Sequence, residues 1–138
     1  MKNILGPFGS IVILLMMIAA FLSTTGATSD RFVGKWGSTD IDGSYQILTI
    51  GGGSSSSYHI RVYDFGASTC GLDPERGDFL YAASIEGTLS LSNGILSGTL
   101  PLYCQTAPPT FKSVAFLQYT YDAATDTLID NFGVVWFH

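Results

Sequence analysis

Positive charge is scarce in this chain. Six Lys and Arg stand against eleven Asp and Glu, a formal net charge of −5, and the cations form no cluster. Neutralising nucleic-acid phosphates or gripping an anionic membrane surface needs the opposite balance, so both are excluded as partners on electrostatic grounds. Cysteine is scarcer still, limited to Cys70 and Cys104. They lack the C-x-x-C spacing and the nearby histidines of a redox or metal pair. One structural disulfide in an oxidising compartment is therefore expected, contributing about 3–4 kcal/mol by loop-closure entropy. Histidine is confined to His59 and His138, and no G-x-S-x-G, H-E-x-x-H or Cys–His arrangement occurs. With no nucleophile, base and orienting group in view, the chain is expected not to be an enzyme and to need no cofactor.

Long apolar runs are absent except at the start. Lys2 is followed by an unbroken apolar stretch over residues 11–22 and then by small residues, Ser23-Thr24-Thr25-Gly26-Ala27-Thr28-Ser29. That is the order of a secretory signal peptide, so residues 1–29 are read as a signal and 30–138 as a single β-barrel domain. The product would be secreted or periplasmic; the alternative is an uncleaved N-terminal membrane anchor. No membrane span is expected in the mature chain. No Cys follows the apolar stretch to take a lipid. The roughly 110 residues that remain suit one domain, expected to be a monomer.

Helical periodicity is missing after residue 30. Apolar residues alternate or run in short blocks, and turn residues interrupt them every eight to twelve positions, as in all-β folds. Strands are expected near 32–39, 45–50, 58–65, 80–91, 95–104, 112–121 and 127–137. Asn131 and Gly133 leave room for a break in the last of these, so seven or eight strands fit. Asp40-Ile41-Asp42-Gly43-Ser44 and Ser92-Asn93-Gly94 read as hairpin turns. Short turns between consecutive strands predict an antiparallel up-and-down meander closing into a barrel, which removes exposed sheet edges. A two-sheet β-sandwich is the alternative. The expected inward residues include Trp36, Leu48, Ile50, Tyr58, Ile60, Val62, Leu89, Leu100 and Phe116.

Three constellations invite a chemical reading. Asp40-x-Asp42-Gly43 starts like a calcium loop, but lacks the third oxygen ligand before the Gly and the downstream bidentate Glu. It reads as a turn. Asp73, Glu75, Arg76 and Asp78 fall in one Gly- and Pro-bearing stretch beside Cys70. Paired carboxylates there could serve glycoside hydrolysis, but an exposed loop with an internal ion pair is the simpler reading. Tethered by the disulfide, it is the first choice for partner recognition. Finally, Phe116, Tyr119, Tyr121, Phe132, Trp136 and Phe137 would cluster if the last two predicted strands pair. Those pointing outward would form a contact surface.

The mature N-terminus holds Phe32-x-Gly34-x-Trp36, which resembles the first strand of the calycins, the lipocalins and fatty-acid-binding proteins. The resemblance implies a barrel in which Gly34 permits close backbone approach and Trp36 plugs one end. Lipocalins also place an Arg over this Trp from the last strand, whereas this chain ends Val134-Val135-Trp136-Phe137-His138. The resemblance further implies a secreted carrier of a small apolar or amphipathic ligand. Possible contacts are Tyr58, Asp73, Glu75, Arg76, Phe116, Tyr119 and Trp136. The alternative is a module that recognises a protein or glycan through the loop over 66–78 and the outer aromatics.

Overall fold

Two-residue alternation carries most of this architecture. A computed structural model describes residues 30–138; the segment read as a signal peptide, 1–29, lies outside the described residues. The strands are β1 (Gly34–Thr39), β2 (Tyr45–Ser54), β3 (Ser57–Asp64), β4 (Ala83–Ser92), β5 (Ile95–Cys104), β6 (Thr110–Asp122), β7 (Thr127–Asp130) and β8 (Val135–Trp136). They form one sheet in sequence order, every neighbour antiparallel. The sheet curls until β1 meets β8, where Gly37 and Phe137 exchange two backbone hydrogen bonds of 2.7 and 2.9 Å. The result is a nearly closed meander barrel, and the two-sheet sandwich is set aside. Among the described residues no helix is long and apolar enough to cross a membrane.

β3 shows how sequence becomes barrel wall. Tyr58, Ile60, Val62 and Asp64 are buried, while His59 and Arg61 face solvent. Outside, Arg61 and His59 both reach Glu86 on β4, with contacts of 2.9–3.2 Å. The turns follow from local chemistry. Between β1 and β2, Gly43 takes a positive φ of 88°, and the Asp42 carboxylate accepts the Ser44 N–H at 3.0 Å. Asn93 and Gly94, both at positive φ, make the tight turn joining β4 to β5.

The long strand expected over 127–137 is two strands. Asp130 ends β7, and its Oδ1 accepts the N–H groups of Phe132 and Val134, both at 2.9 Å. This side-chain acceptor competes with the ladder and folds the chain back. The barrel therefore has eight strands.

One end of the barrel is solid. Phe32, Trp36, Leu48, Ile50, Ile60, Leu89, Leu96 and Leu128 are essentially sealed from solvent. The Trp36 indole turns back along the chain, its Nε1 donating to the Phe32 carbonyl at 3.0 Å. Phe32 in turn meets Tyr58 and Tyr121, ring centroids 6.3 Å apart in each case. The His138 ring lies 3.6 Å from that of Trp36. Gly34 leaves room for it, since a Cβ there would sit 3.0 Å from the His138 ring, at a φ of +152° that side chains avoid.

At the other end, the stretch over 66–82 is more ordered than its composition suggests. It folds back on itself through a Leu72–Leu80 bridge and an Asp73 N–H to Phe79 carbonyl bond of 2.8 Å. The expected disulfide between Cys70 and Cys104 pins it to the end of β5, Cα atoms 5.5 Å apart and 34 residues apart in sequence.

Candidate ligand-binding site

Inward-facing residues are large at the solid end and small at the disulfide end. Val62, Ala83, Ile85, Leu102, Ala115 and Leu117 face the interior there and cannot fill it. A cavity of about 450 Å³ remains. Its mouth is rimmed by the β1–β2 turn (Asp40, Ile41, Asp42), by Ala67, Ser68 and Thr69, and by Phe132 of the β7–β8 turn. The Asp42 Oδ2 accepts the Ser68 N–H at 3.2 Å, tying two rim segments together. Desolvation pushes the Asp42 carboxyl up, but hydrogen bonds from Ser44 and Ser68 outweigh it and hold the pKa below its ordinary value.

Polar groups in the cavity are few and fixed. Asp64 is buried at the end of β3 and accepts hydrogen bonds from Gln46 Nε2 at 3.2 Å and the Gly66 N–H at 3.0 Å. Asp130 Oδ2 accepts the Trp136 Nε1 proton at 3.0 Å. Trp136 packs edge-on against Tyr119, ring centroids 6.0 Å apart, and Tyr119 lies directly across from Asp130 in the sheet register. Tyr119 is 1 % exposed. Burial, reinforced by the Asp130 charge, pushes its phenol well above the ordinary pKa, so it stays protonated.

A second depression, about 630 Å³, runs along the outside of the β1–β8 seam between Lys35, Thr39, Tyr45, Val135 and Phe137. Several of its walls are exposed surface side chains. The barrel cavity has what a small-molecule site needs, a concave apolar lining with a few oriented polar groups.

Of the residues singled out from sequence, the structure brings Tyr119 and Trp136 together in the cavity. Tyr58 is buried at the opposite, solid end against Phe32. Asp73, Glu75 and Arg76 stand on the disulfide-tethered excursion, outside the cavity lining. The internal ion pair expected there is absent among the described residues; the Arg76 guanidinium lies 5.4 Å from the centre of the Phe79 ring instead. Phe116, expected inward, faces out at 51 % exposure. β6 has apolar residues on both faces, so only pairing decides: buried Leu100 faces Ala115, which turns Leu117 and Tyr119 inward and Phe116 outward.

Asp64 and Asp130 were missed by the sequence reading. Asp64 had a signal, for it continues the inward positions Tyr58, Ile60 and Val62 by one more step. Asp130 had none beyond its place before Asn131 and Gly133. Compared with known protein families, curated proteins and solved structures, the chain finds no match in any of the three.

Proposed function

We propose that this protein is an exported, non-enzymatic carrier that holds a small apolar or amphipathic molecule in the open end of its barrel. The observation that supports this reading most is the cavity of about 450 Å³ whose apolar walls belong to a barrel otherwise packed solid. A barrel meant only as a scaffold would gain stability by filling that space, as tight packing does elsewhere in the molecule. The calycin-like Phe32-x-Gly34-x-Trp36 start agrees with a carrier. Export is supported by the signal-like sequence over 1–29 and by the disulfide.

Titration with the neutral solvatochromic dye Nile red tests it. A saturable blue shift with one dye per chain is expected, lost at least tenfold in Ala83→Leu, where the new side chain occupies the cavity. No saturable shift, or a shift indifferent to Ala83→Leu, sinks the carrier reading.

A second reading draws on the exterior. Leu72 and Phe79 are largely exposed on the tethered excursion, and Tyr103, Phe111, Val114 and Phe116 make an exposed apolar strip along β5 and β6. A module that docks on a protein or glycan would present such features. Simultaneous replacement of Asp73, Glu75 and Arg76 would then abolish partner binding, and retained binding counts against it.

A further inference from the structure

We infer that the cavity selects an organic cation, a molecule with an apolar body and a protonated amine that meets the carboxylates of the barrel's open end. The inference rests on the carrier reading and sharpens it. Asp40, Asp42, Asp64 and Asp130 all border the cavity, and no Lys, Arg or His does so among the described residues. The Arg61–Glu86 ion pair, which His59 also reaches, lies away from it on the outer wall.

The two deeper carboxylates accept hydrogen bonds from neutral donors alone. Asp64 takes Gln46 and the Gly66 N–H, and Asp130 takes two backbone N–H groups and the Trp136 indole. These bonds orient the oxygens and leave the negative charge uncompensated. A carboxylate beside apolar walls interacts with a charge more strongly than one in open water. A cation entering the cup is therefore attracted and an anion of the same size repelled, which is discrimination by field as well as by contact.

A second feature points to a ligand independently of charge. The Tyr119 hydroxyl belongs to a side chain almost wholly removed from solvent, lines the cavity, and has no hydrogen-bond partner among the described residues. The hydroxyl is not one of the fully buried polar atoms left without a partner, which are Arg31 Nε and Ser44 Oγ among the described residues; it keeps access to the cavity, where a ligand donor or acceptor would meet it. It sits across the ladder from Asp130, so an ammonium placed between them would find a charge and a lone pair together. Trp136 and Phe132 supply aromatic surface for the cation and its body.

A metal ion fits less well. Among the described residues no three metal-ligating side chains converge, whereas a hard cation such as calcium requires six to eight oxygens around one point. The carboxylates are spread around an apolar cup, which suits a molecule longer than an ion.

The test compares three ten-carbon probes at pH 7 and low salt by displacement of Nile red: decylammonium, decanol and decanoate. Decylammonium should bind at least tenfold more tightly than decanol, with decanoate weakest. Raising the salt to about 0.5 M should erase most of the decylammonium advantage and leave decanol unchanged. Asp64→Asn keeps the size of the side chain and an acceptor for Gly66; it should cut the preference for decylammonium over decanol severalfold, with the far-UV circular dichroism spectrum as the control for folding. Tyr119→Phe should weaken decylammonium and decanol alike, since either headgroup can use the hydroxyl, and unchanged binding of both would remove Tyr119 from the site. If decanol or decanoate binds as tightly as decylammonium, the cation assignment is overturned and the carrier reading stands. If none of the probes nor Nile red binds, both fall.

Discussion

The two ends of this barrel are made of the same eight strands and behave as different materials. At the solid end, hairpin turns are short and Phe32, Trp36, Leu48, Leu89, Leu96 and Leu128 leave no room for solvent. At the open end, Ala83, Ala115 and Asp64 stand at equivalent inward positions, and a disulfide holds a seventeen-residue excursion over 66–82. The contrast teaches that one meander can carry two packing regimes along the barrel axis. Large apolar side chains hold the fold at one end. Small and acidic ones give up packing at the other and leave a cavity.

Substitutions at the two ends should show this directly. The largest effect is expected for Trp36→Ala, which removes the buried indole that Phe32 and His138 contact; about 3–5 kcal/mol of stability should be lost in urea unfolding. A loss under about 1 kcal/mol would mean that the packing around this indole is dispensable. Replacing both Cys70 and Cys104 by Ala should cost about 3 kcal/mol. Hydrogen exchange should locate the damage, with the excursion losing protection before β1 and β2 do.

A same-strand pair sharpens the comparison further. Leu96→Ala, at the solid end of β5, should cost about 3 kcal/mol, whereas Leu102→Ala, on the cavity wall, should cost about 1 kcal/mol because it already lacks packing partners on one side. Equal losses would argue that the cavity is closed in solution. The smallest effect concerns pH. Asp42 and Glu86 are both held below their ordinary pKa values of 3.8 and 4.5. For Asp42, opposed by desolvation, the cause is hydrogen bonds from Ser44 and Ser68; for Glu86 it is first of all the hydrogen bond from Arg61. A depressed folded-state pKa stabilises above the unfolded value, and that contribution disappears as pH falls through the folded one. Both groups are largely exposed, so the acid limb should be shallow, and Asp42→Asn should flatten it slightly in denaturation midpoints taken between pH 5 and pH 2.

Much of the barrel was legible in advance, and the reason is period. Where one face is apolar and the other polar, as in Tyr58-His59-Ile60-Arg61-Val62, alternation alone assigns in and out. Where both faces are apolar, as in Val114-Ala115-Phe116-Leu117, it assigns nothing, and Phe116 was placed on the wrong side. The break after Asp130 was foreshadowed by Asn131 and Gly133, but the side-chain bonds that enforce it involve atoms the sequence does not position.

The candidate site was legible only in fragments. Tyr119 and Trp136 were singled out as aromatics, while Asp64 and Asp130, the groups that give the cavity its charge, lie 66 positions apart on β3 and β7. Local pattern cannot bring such residues together, because their approach depends on how many strands intervene and how tightly the sheet curls. By itself the sequence determined most of the strands and turns, which rest on a two-residue period or on local turn chemistry, and the disulfide, the one pairing that two cysteines allow. Tertiary structure alone decided that the barrel is solid at one end and hollow at the other, because a cavity is a property of side chains from many strands failing to meet.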